Sequence, residues 1–504
     1  MKLSRTYKNL FSNIIVQIIL ALSGIIIPKL IILKYGSALN GMVGSIGQFL
    51  MYAGLVEAGI GNAAIVSLYN PLMLNDTKCV STILSETARR YKKSGIIYTA
   101  IAFGIACIYP VTIRTQIDYS IAFSMTIVLA LTGVIDFLII GKYKVLLTAD
   151  NKYYIVNFSK AIAIVILVCG SVFLLLNNVP LIMVKVLAVL THMGEAIFLK
   201  EYVKKNYVQF VFDSKQKINL EQQSSALIHQ ICMVITYNTD MIVLTLCLKG
   251  NSLLEISVYS VYSLILSFAK NMMSVLCTGI NASFGMLYAK KDTESLVKQF
   301  KNYELIFYIC LFTLYCCFMA LIVPFVRCYV GNTIDVEYVR IELAILFTLT
   351  GLLSQLKDAY GILVNGACGA YKETRKYAIC EAVINLLLSI VFVKKWGIAG
   401  VLIGTIVSHI FMDFGVIRYG CKVIIPQMRS LTFSRIIRNV FLFVVISIIE
   451  TKLFLNINNW IKWGIGAVII VMVNLPFFML WNYLFERESF ILEIKSLIQK
   501  IRRG

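Results

Sequence analysis

His192 and Glu195 stand three residues apart, and His409 and Asp413 stand four apart. On a helix each pair shares one face. A histidine beside a carboxylate titrates near neutral pH, which is what a proton relay needs. A structural histidine satisfied by its neighbour fits the same spacing. Two such ligands per pair do not make a metal site, so no metal is expected. Further ionisable residues lie among apolar neighbours: the cations Lys29, Lys160, Lys185, Lys270 and Lys357, the acids Glu57, Asp136, Asp240, Asp358 and Glu381, and His229. Both signs occur, so a cavity lined by them would be of mixed charge. The chain has no GxxxxGK[ST] phosphate loop and no Ser/His/Asp or metal-hydrolase constellation. No enzymatic activity and no cofactor are expected, and any work must draw on an ion gradient or on the cargo's own gradient.

The elements that hold these residues are apolar. Fourteen stretches of suitable length occupy 10–33, 42–69, 94–113, 119–141, 154–176, 180–199, 223–248, 257–288, 304–326, 339–365, 377–393, 398–420, 437–455 and 461–485. About 20 apolar residues span the ~30 Å hydrocarbon core as a helix. The composition agrees: 59% hydrophobic and 14% charged, against roughly 25% charged in soluble domains. The expectation is an all-α polytopic membrane protein with no sizeable soluble domain. Span 257–288 is too long for one perpendicular crossing and should tilt or project. Pro28 breaks the hydrogen-bond ladder of the first span. Gly41, Gly44, Gly47, Gly54, Gly59 and Gly61 crowd the second, where they permit close packing and also bending.

The net charge of +21 is not a nucleic-acid signature. Basic residues concentrate at the N-terminus and in every second loop: Lys78, Arg89, Arg90, Lys92 and Lys93; Lys200, Lys204, Lys205, Lys215 and Lys217; and Arg487, Lys495, Lys500, Arg502 and Arg503 at the tail. The opposite loops hold few, among them Lys34, Arg114, Lys249 and Lys394. Lys and Arg stay on the cytoplasmic side during insertion, which places both termini there, beside anionic lipid headgroups. The first span lacks a small-x-small cleavage site and reads as a retained helix. The thirteen Cys are scattered, mostly inside apolar spans, and read as small buried hydrophobes. The sequons at Asn75 and Asn281 fall in a cytoplasmic loop and a span, and are discounted.

An offset of about 215–219 residues, a few more for the Asp136 and Lys152 matches, lays the first six spans on the next six. Gly59-Ile-Gly-Asn62-Ala63 with Tyr69 matches Gly279-Ile-Asn281-Ala282 with Tyr288; Asp76-Thr77 matches Asp292-Thr293; Thr191-His192 with Glu195 matches Ser408-His409 with Asp413; Asp136 matches Asp358, and Lys152-Tyr153 matches Lys376-Tyr377. Six is even, so the copies share one orientation, and two like-oriented lobes with the cargo path between them are a transporter architecture. The expected organisation is an N-lobe, 1–220; a C-lobe, 221–425; and a helix pair with a basic tail, 426–504.

Intramembrane ionisable groups normally face a bundle interior or a wet cavity. Lys160, Lys185 and Glu381 lie near predicted ends, where snorkelling to headgroups accounts for them. Glu57 and Lys270 sit near the middle of matching spans, where snorkelling is hard, and cavity lining is favoured. Lys357 and Asp358 are adjacent, cannot face each other on a helix, and should have different partners. The cargo-path candidates are Lys29, Glu57, Asn62, Asp240, Lys270, Asn281 and Lys357. The proton-coupling candidates are Asp136, His192, Glu195, Asp358, His409 and Asp413. For each, a purely structural role is the alternative.

Two six-helix lobes and a terminal pair resemble the multidrug/oligosaccharidyl-lipid/polysaccharide exporter superfamily, and most of all its polysaccharide branch, the O-antigen and capsule repeat-unit flippases. Asn238-Thr-Asp240-Met-Ile-Val-Leu with Gly250 and Val258-Tyr259 is similar to that branch's Asp-x-Ile-x-Leu…Gly…Val-Gly-x-Tyr, with Ser257-Val-Tyr259 where the family often has Val-Gly-x-Tyr. Gly397-Ile-Ala-Gly400 leading to Thr405-Ile406 resembles its approach to helix twelve, and Pro28…Gly36 resembles the end of its helix one. The resemblance implies transfer of undecaprenyl-pyrophosphate-linked oligosaccharide units between leaflets by alternating access coupled to a cation gradient. Lysines would hold pyrophosphate. It implies membrane lipids, and a glycan polymerase or glycosyltransferases of the same pathway, as partners, no nucleic acid, and action as a monomer. A drug/cation exporter or a lipid II flippase of the same superfamily is the nearest alternative. A membrane glycan polymerase or ligase is the alternative from another class, and the short outer loops speak against it.

Overall fold

The computed structural model describes residues 2–212, 224–248, 250–278, 280–331 and 335–487. Lys215, Lys217, Lys249, Gly279 and the tail cations Lys495, Lys500, Arg502 and Arg503 lie outside the described residues. Among the described residues there are helices and turns and no strand. The chain packs as two compact units, Met1–Ser260 with Thr333–Val336, and Val261–Asn332 with Glu337–Gly504.

The helices are α1 (Lys2–Tyr35), α2 (Ser37–Ala53), α3 (Ile60–Met73), α4 (Thr77–Thr112), α5 (Tyr119–Ile135), α6 (Gly141–Ala149), α7 (Tyr153–Leu176), α8 (Leu181–Asn206), α9 (Ser224–Asn238), α10 (Asp240–Cys247), α11 (Ser252–Thr278), α12 (Asn281–Ala289), α13 (Thr293–Val330), α14 (Ile341–Leu356), α15 (Asp358–Gly361), α16 (Tyr371–Tyr419), α17 (Arg429–Phe454) and α18 (Trp460–Phe485). Among the described residues, eleven helices are long and apolar enough to cross a membrane, or twelve if the pair bent by 51° at Asn238–Asp240 counts as one span. The sequence predicts fourteen, and two features account for the difference. Tyr371–Ile424 counts once although Gly397 (φ 54°, ψ −128°) interrupts it. The stretch expected at 339–365 is broken into α14, α15 and a π turn, Ile362–Ala367, none long enough by itself.

Other expectations need correcting. α1 continues through Pro28 and stops at Gly36, whose φ of 86° is open to glycine and costly for other residues. The basic stretch read as the loop 70–93 is mostly the first half of the 36-residue α4. The stretch 257–288 is two helices, α11 and α12.

The repeat has a local physical cause. Asp76 and Asp292 cap α4 and α13, accepting from the amides of Cys79 (2.9 Å) and Ser295 (3.1 Å). Each satisfies a helix-start donor that would otherwise be orphaned. Each follows a residue with positive φ, Asn75 at 55° and Lys291 at 56°. The same turn is thus written twice. Each half also carries a π turn next to its aspartate: Asp136–Ile140 after α5, and Ile362–Ala367 shortly after Asp358.

Close packing in the first unit depends on small residues. A Cβ at Gly41 would lie 1.8 Å from the Leu253 carbonyl oxygen, so α2 rests directly on the backbone of α11. Ser37 at the head of α2 bonds Asp335 through its amide (2.6 Å) and hydroxyl (2.7 Å). In the second unit the terminal pair is held by charge as well as by packing. Arg435 is fully buried and donates to Glu304 on α13 (2.7 Å) and, through two nitrogens, to Glu486 (2.9 and 2.6 Å). Arg438 donates to Glu486 and Asn482, and Thr432 donates to Glu304 at 2.7 Å. Removing one member of such a network strands an uncompensated buried charge.

Candidate functional site

The first unit contains a cavity of about 540 Å³. Its walls are built where helices fail. After Ala53 the chain tightens into a 3₁₀ turn, Gly54–Glu57, and Gly59 (φ 82°) redirects it into α3. Across the cavity, α5 widens into the π turn Asp136–Ile140 before α6 begins. π turns leave the regular ladder and are frequent at functional sites. The two breaks bring Glu57 and Asp136 to one space, with Asn62, Tyr91, Thr132 and Lys144 around it.

Tyr91 on α4 donates its hydroxyl to Glu57. Glycines make room for that ring: a Cβ at Gly141 would sit 2.4 Å from it, and one at Gly133 would sit 2.2 Å from the Tyr98 hydroxyl. Asp136 is half-exposed to the cavity, with 55% of its side chain accessible, and its Oδ1 lies 3.1 Å from His192 Nε2. His192 Nδ1 lies 3.2 Å from Glu195 Oε2, whose side chain is 6% exposed. One imidazole therefore joins a carboxylate at the cavity to a carboxylate inside the bundle. A proton taken up at one ring nitrogen and released at the other would pass between them.

The second unit places the other histidine differently. His409 is fully buried, and its Nδ1 lies 2.8 Å from Glu381 Oε1 rather than against Asp413 on its own helix. Lys357 stands 3.9 Å from both Glu381 Oε1 and Asp413 Oδ1. Glu381, expected to snorkel, is buried because Gly397 folds α16 back on itself and puts its two legs in contact. Asn385 donates to Thr405 across that contact at 2.9 Å. Lys357 and Asp358, expected to have different partners, interact with each other, and Asp358 interacts with Lys270 as well.

The remaining candidates are scattered. Asp240 is buried and accepts from Tyr259 at 2.7 Å, away from the cavity walls. Lys29 is half-buried on α1 and does not line the cavity. Asn281 heads α12, and a Cβ at Gly366 would come within 2.5 Å of its Oδ1. Sequence reasoning missed Tyr91, because its run Arg89-Arg-Tyr-Lys-Lys93 reads as a basic loop, and missed Lys144 for the same reason. It also missed Arg435, which lies two residues outside the apolar stretch.

No protein-family profile and no curated protein sequence matches the chain. Solved structures do match in fold. An inward-facing multidrug resistance MATE family transporter of the MOP superfamily aligns with TM-score 0.66 and 12% identity, over 82% of this chain and 95% of its own. The lipid II flippase MurJ, in an inward closed conformation, aligns with TM-score 0.62 and 12% identity, over 96% of this chain and 99% of its own. An outward-facing MATE transporter aligns with TM-score 0.58 and 12% identity, over 86% and 96%. The fold is therefore one shared by MATE and MurJ transporters.

Proposed function

We propose that the chain is a transporter of the MOP superfamily, and within it a flippase that moves undecaprenyl-pyrophosphate-linked oligosaccharide across the cytoplasmic membrane. Proton movement through Asp136, His192 and Glu195 drives it. The observation that carries this reading is the Asp136–His192–Glu195 chain opening on the broken-helix cavity. A purely structural histidine needs one satisfied partner; this one bridges two acids, one of them half-exposed to a cavity. A fold shared with transporters supports gradient-driven movement over catalysis.

A lipid-linked cargo is favoured over a small drug by the C-terminal pair. α17 and α18 are clamped to α13 through Arg435, Arg438, Glu304 and Glu486. MurJ matches 96% of the chain where the MATE transporter with TM-score 0.66 matches 82%. Pyrophosphate would be held by Lys144, the cation in the cavity wall, whose compact ammonium group suits phosphate oxygens.

The test expresses wild type, Asp136→Asn and His192→Ala in cells whose own repeat-unit flippase is deleted. Surface polysaccharide is measured against protein level. Wild type restores polysaccharide and each variant loses it. Restoration by both variants at normal protein level removes the relay from the mechanism. Drug resistance without polysaccharide would replace the flippase by a drug exporter.

A further inference from the structure

Lys357 occupies the joint between α14 and α15, inside the second unit. Its Nζ donates to the Ser354 carbonyl at 3.1 Å and lies 3.9 Å from each of two carboxylate oxygens, Glu381 Oε1 and Asp413 Oδ1. The three side chains are 12%, 8% and 6% exposed. Both carboxylate oxygens of Asp413 are buried without a hydrogen-bond partner. A contact ion pair closes to about 2.7–2.9 Å. At 3.9 Å the ammonium neutralises these acids while leaving the lone pairs of Asp413 unsatisfied. Lys270 and Asp358 complete the surrounding charge, and His409 fixes Glu381 from the other side.

A carbonyl and two carboxylates converging on one positive centre form a hard-oxygen set. We propose that the Lys357 ammonium is a tethered substitute for a monovalent cation in this pocket. The second unit then keeps a permanent counter-ion and takes none from solution. The pocket belongs to the residues Ser354, Glu381 and Asp413, and emptying it of lysine converts it into a site for sodium, potassium or a small ammonium ion. The assignment of the exchangeable ion to the first unit rests on the proposed function; the behaviour of the pocket does not.

The experiment uses the purified full chain and measures its melting midpoint in sodium, potassium, methylammonium and choline chloride at equal ionic strength. Wild type melts alike in all four. Lys357→Ala is stabilised by at least one of the three small cations relative to choline, by roughly 5 °C at saturating salt. Asp413→Asn added to Lys357→Ala abolishes that difference. Lys357→Ala melting alike in all four salts overturns the proposal, as does a wild-type cation dependence that Asp413→Asn removes. If Lys357→Ala is recovered only in the small cations, the proposal stands. If it is recovered in none, the small cations included, the proposal is overturned. Polysaccharide export plays no part in these readouts, so the flippase reading fails or survives separately.

Discussion

His192 Nε2 lies 3.1 Å from Asp136 Oδ1, at the residue where α5 gives way to a π turn. The aspartate faces the cavity because the wider turn rotates it out of helical register. The histidine reaches it from α8, and its other nitrogen reaches Glu195 one turn on. Three groups from two helices thus stand in one hydrogen-bonded line.

Replacing Asp136 by Asn or His192 by Ala is expected to lower proton-dependent transport at least ~10-fold, the worth of one lost charge-assisted hydrogen bond. Folding should survive, because Asp136 is half-exposed. Uptake of protons by reconstituted vesicles, read with a pH-sensitive dye, checks this. Glu195→Gln should slow the flux while leaving the cavity intact.

Gly141→Ala places a methyl 2.4 Å from the Tyr91 ring. The ring must move, and its hydrogen bond to Glu57 goes with it. Overpacking of this kind costs about 1–3 kcal/mol. Transport should fall in Gly141→Ala to about the level of Tyr91→Phe, which loses the same hydrogen bond to Glu57, and combining the two should add little further loss. Transport assays on the single and double variants decide.

Arg435→Met strands Glu304 on α13 and leaves Glu486 with Arg438 alone. The expected loss is about 3–5 kcal/mol. Replacing Arg435, Arg438, Glu304 and Glu486 together by apolar residues of similar size should recover most of it. Melting midpoints of the detergent-purified variants read this directly. A single variant as stable as wild type would show that the network is dispensable.

Glu486 lies just beyond the last span. Burial pushes its carboxyl up, but the guanidinium groups of Arg435 and Arg438 outweigh that and hold it below the usual carboxylate range. A depressed folded value means stability that is present above the unfolded value and lost as pH falls through the folded one. The stability gap between wild type and Glu486→Gln should therefore be full at neutral pH and close on acidification below the ordinary carboxylate range. A melting series against pH measures it.

Gly397 holds φ 54° and ψ −128°, a region that residues with a Cβ avoid. Gly397→Ala should cost about 1–3 kcal/mol. Nothing lies within 4 Å of a Cβ there, so the cost is backbone strain alone. The melting midpoint should drop without a change in the packing of Asn385 on Thr405.

Apolar length made the membrane class legible, and the matched Asp76 and Asp292 revealed the repeat, because a helix cap is a local device written in adjacent residues. The pairing of His192 with Glu195 was equally legible, since three residues on a helix suffice to define it. Its bond to Asp136, on another helix 56 residues away, was not. Glu381 was misread because distance from a predicted end says nothing about a chain that doubles back at Gly397. The glycines of the second span allowed for a bend near Gly54–Glu57, but the joints at Asp136–Ile140 and Lys357 were invisible for a common reason: mean hydropathy is blind to whether a helix is α, π or 3₁₀.

The reversal at Gly397 has a mechanical corollary. Beyond it, a Cβ at Gly400 would come 2.3 Å from the Phe392 carbonyl oxygen, and one at Gly404 would come 2.8 Å from the Ser389 nitrogen, so the two legs are seated backbone to backbone. Glu381 rides on one leg, His409 and Asp413 on the other. Such a splint holds its three ionisable groups in one close-packed piece, while Lys357 enters the set from a separate element, the joint between α14 and α15.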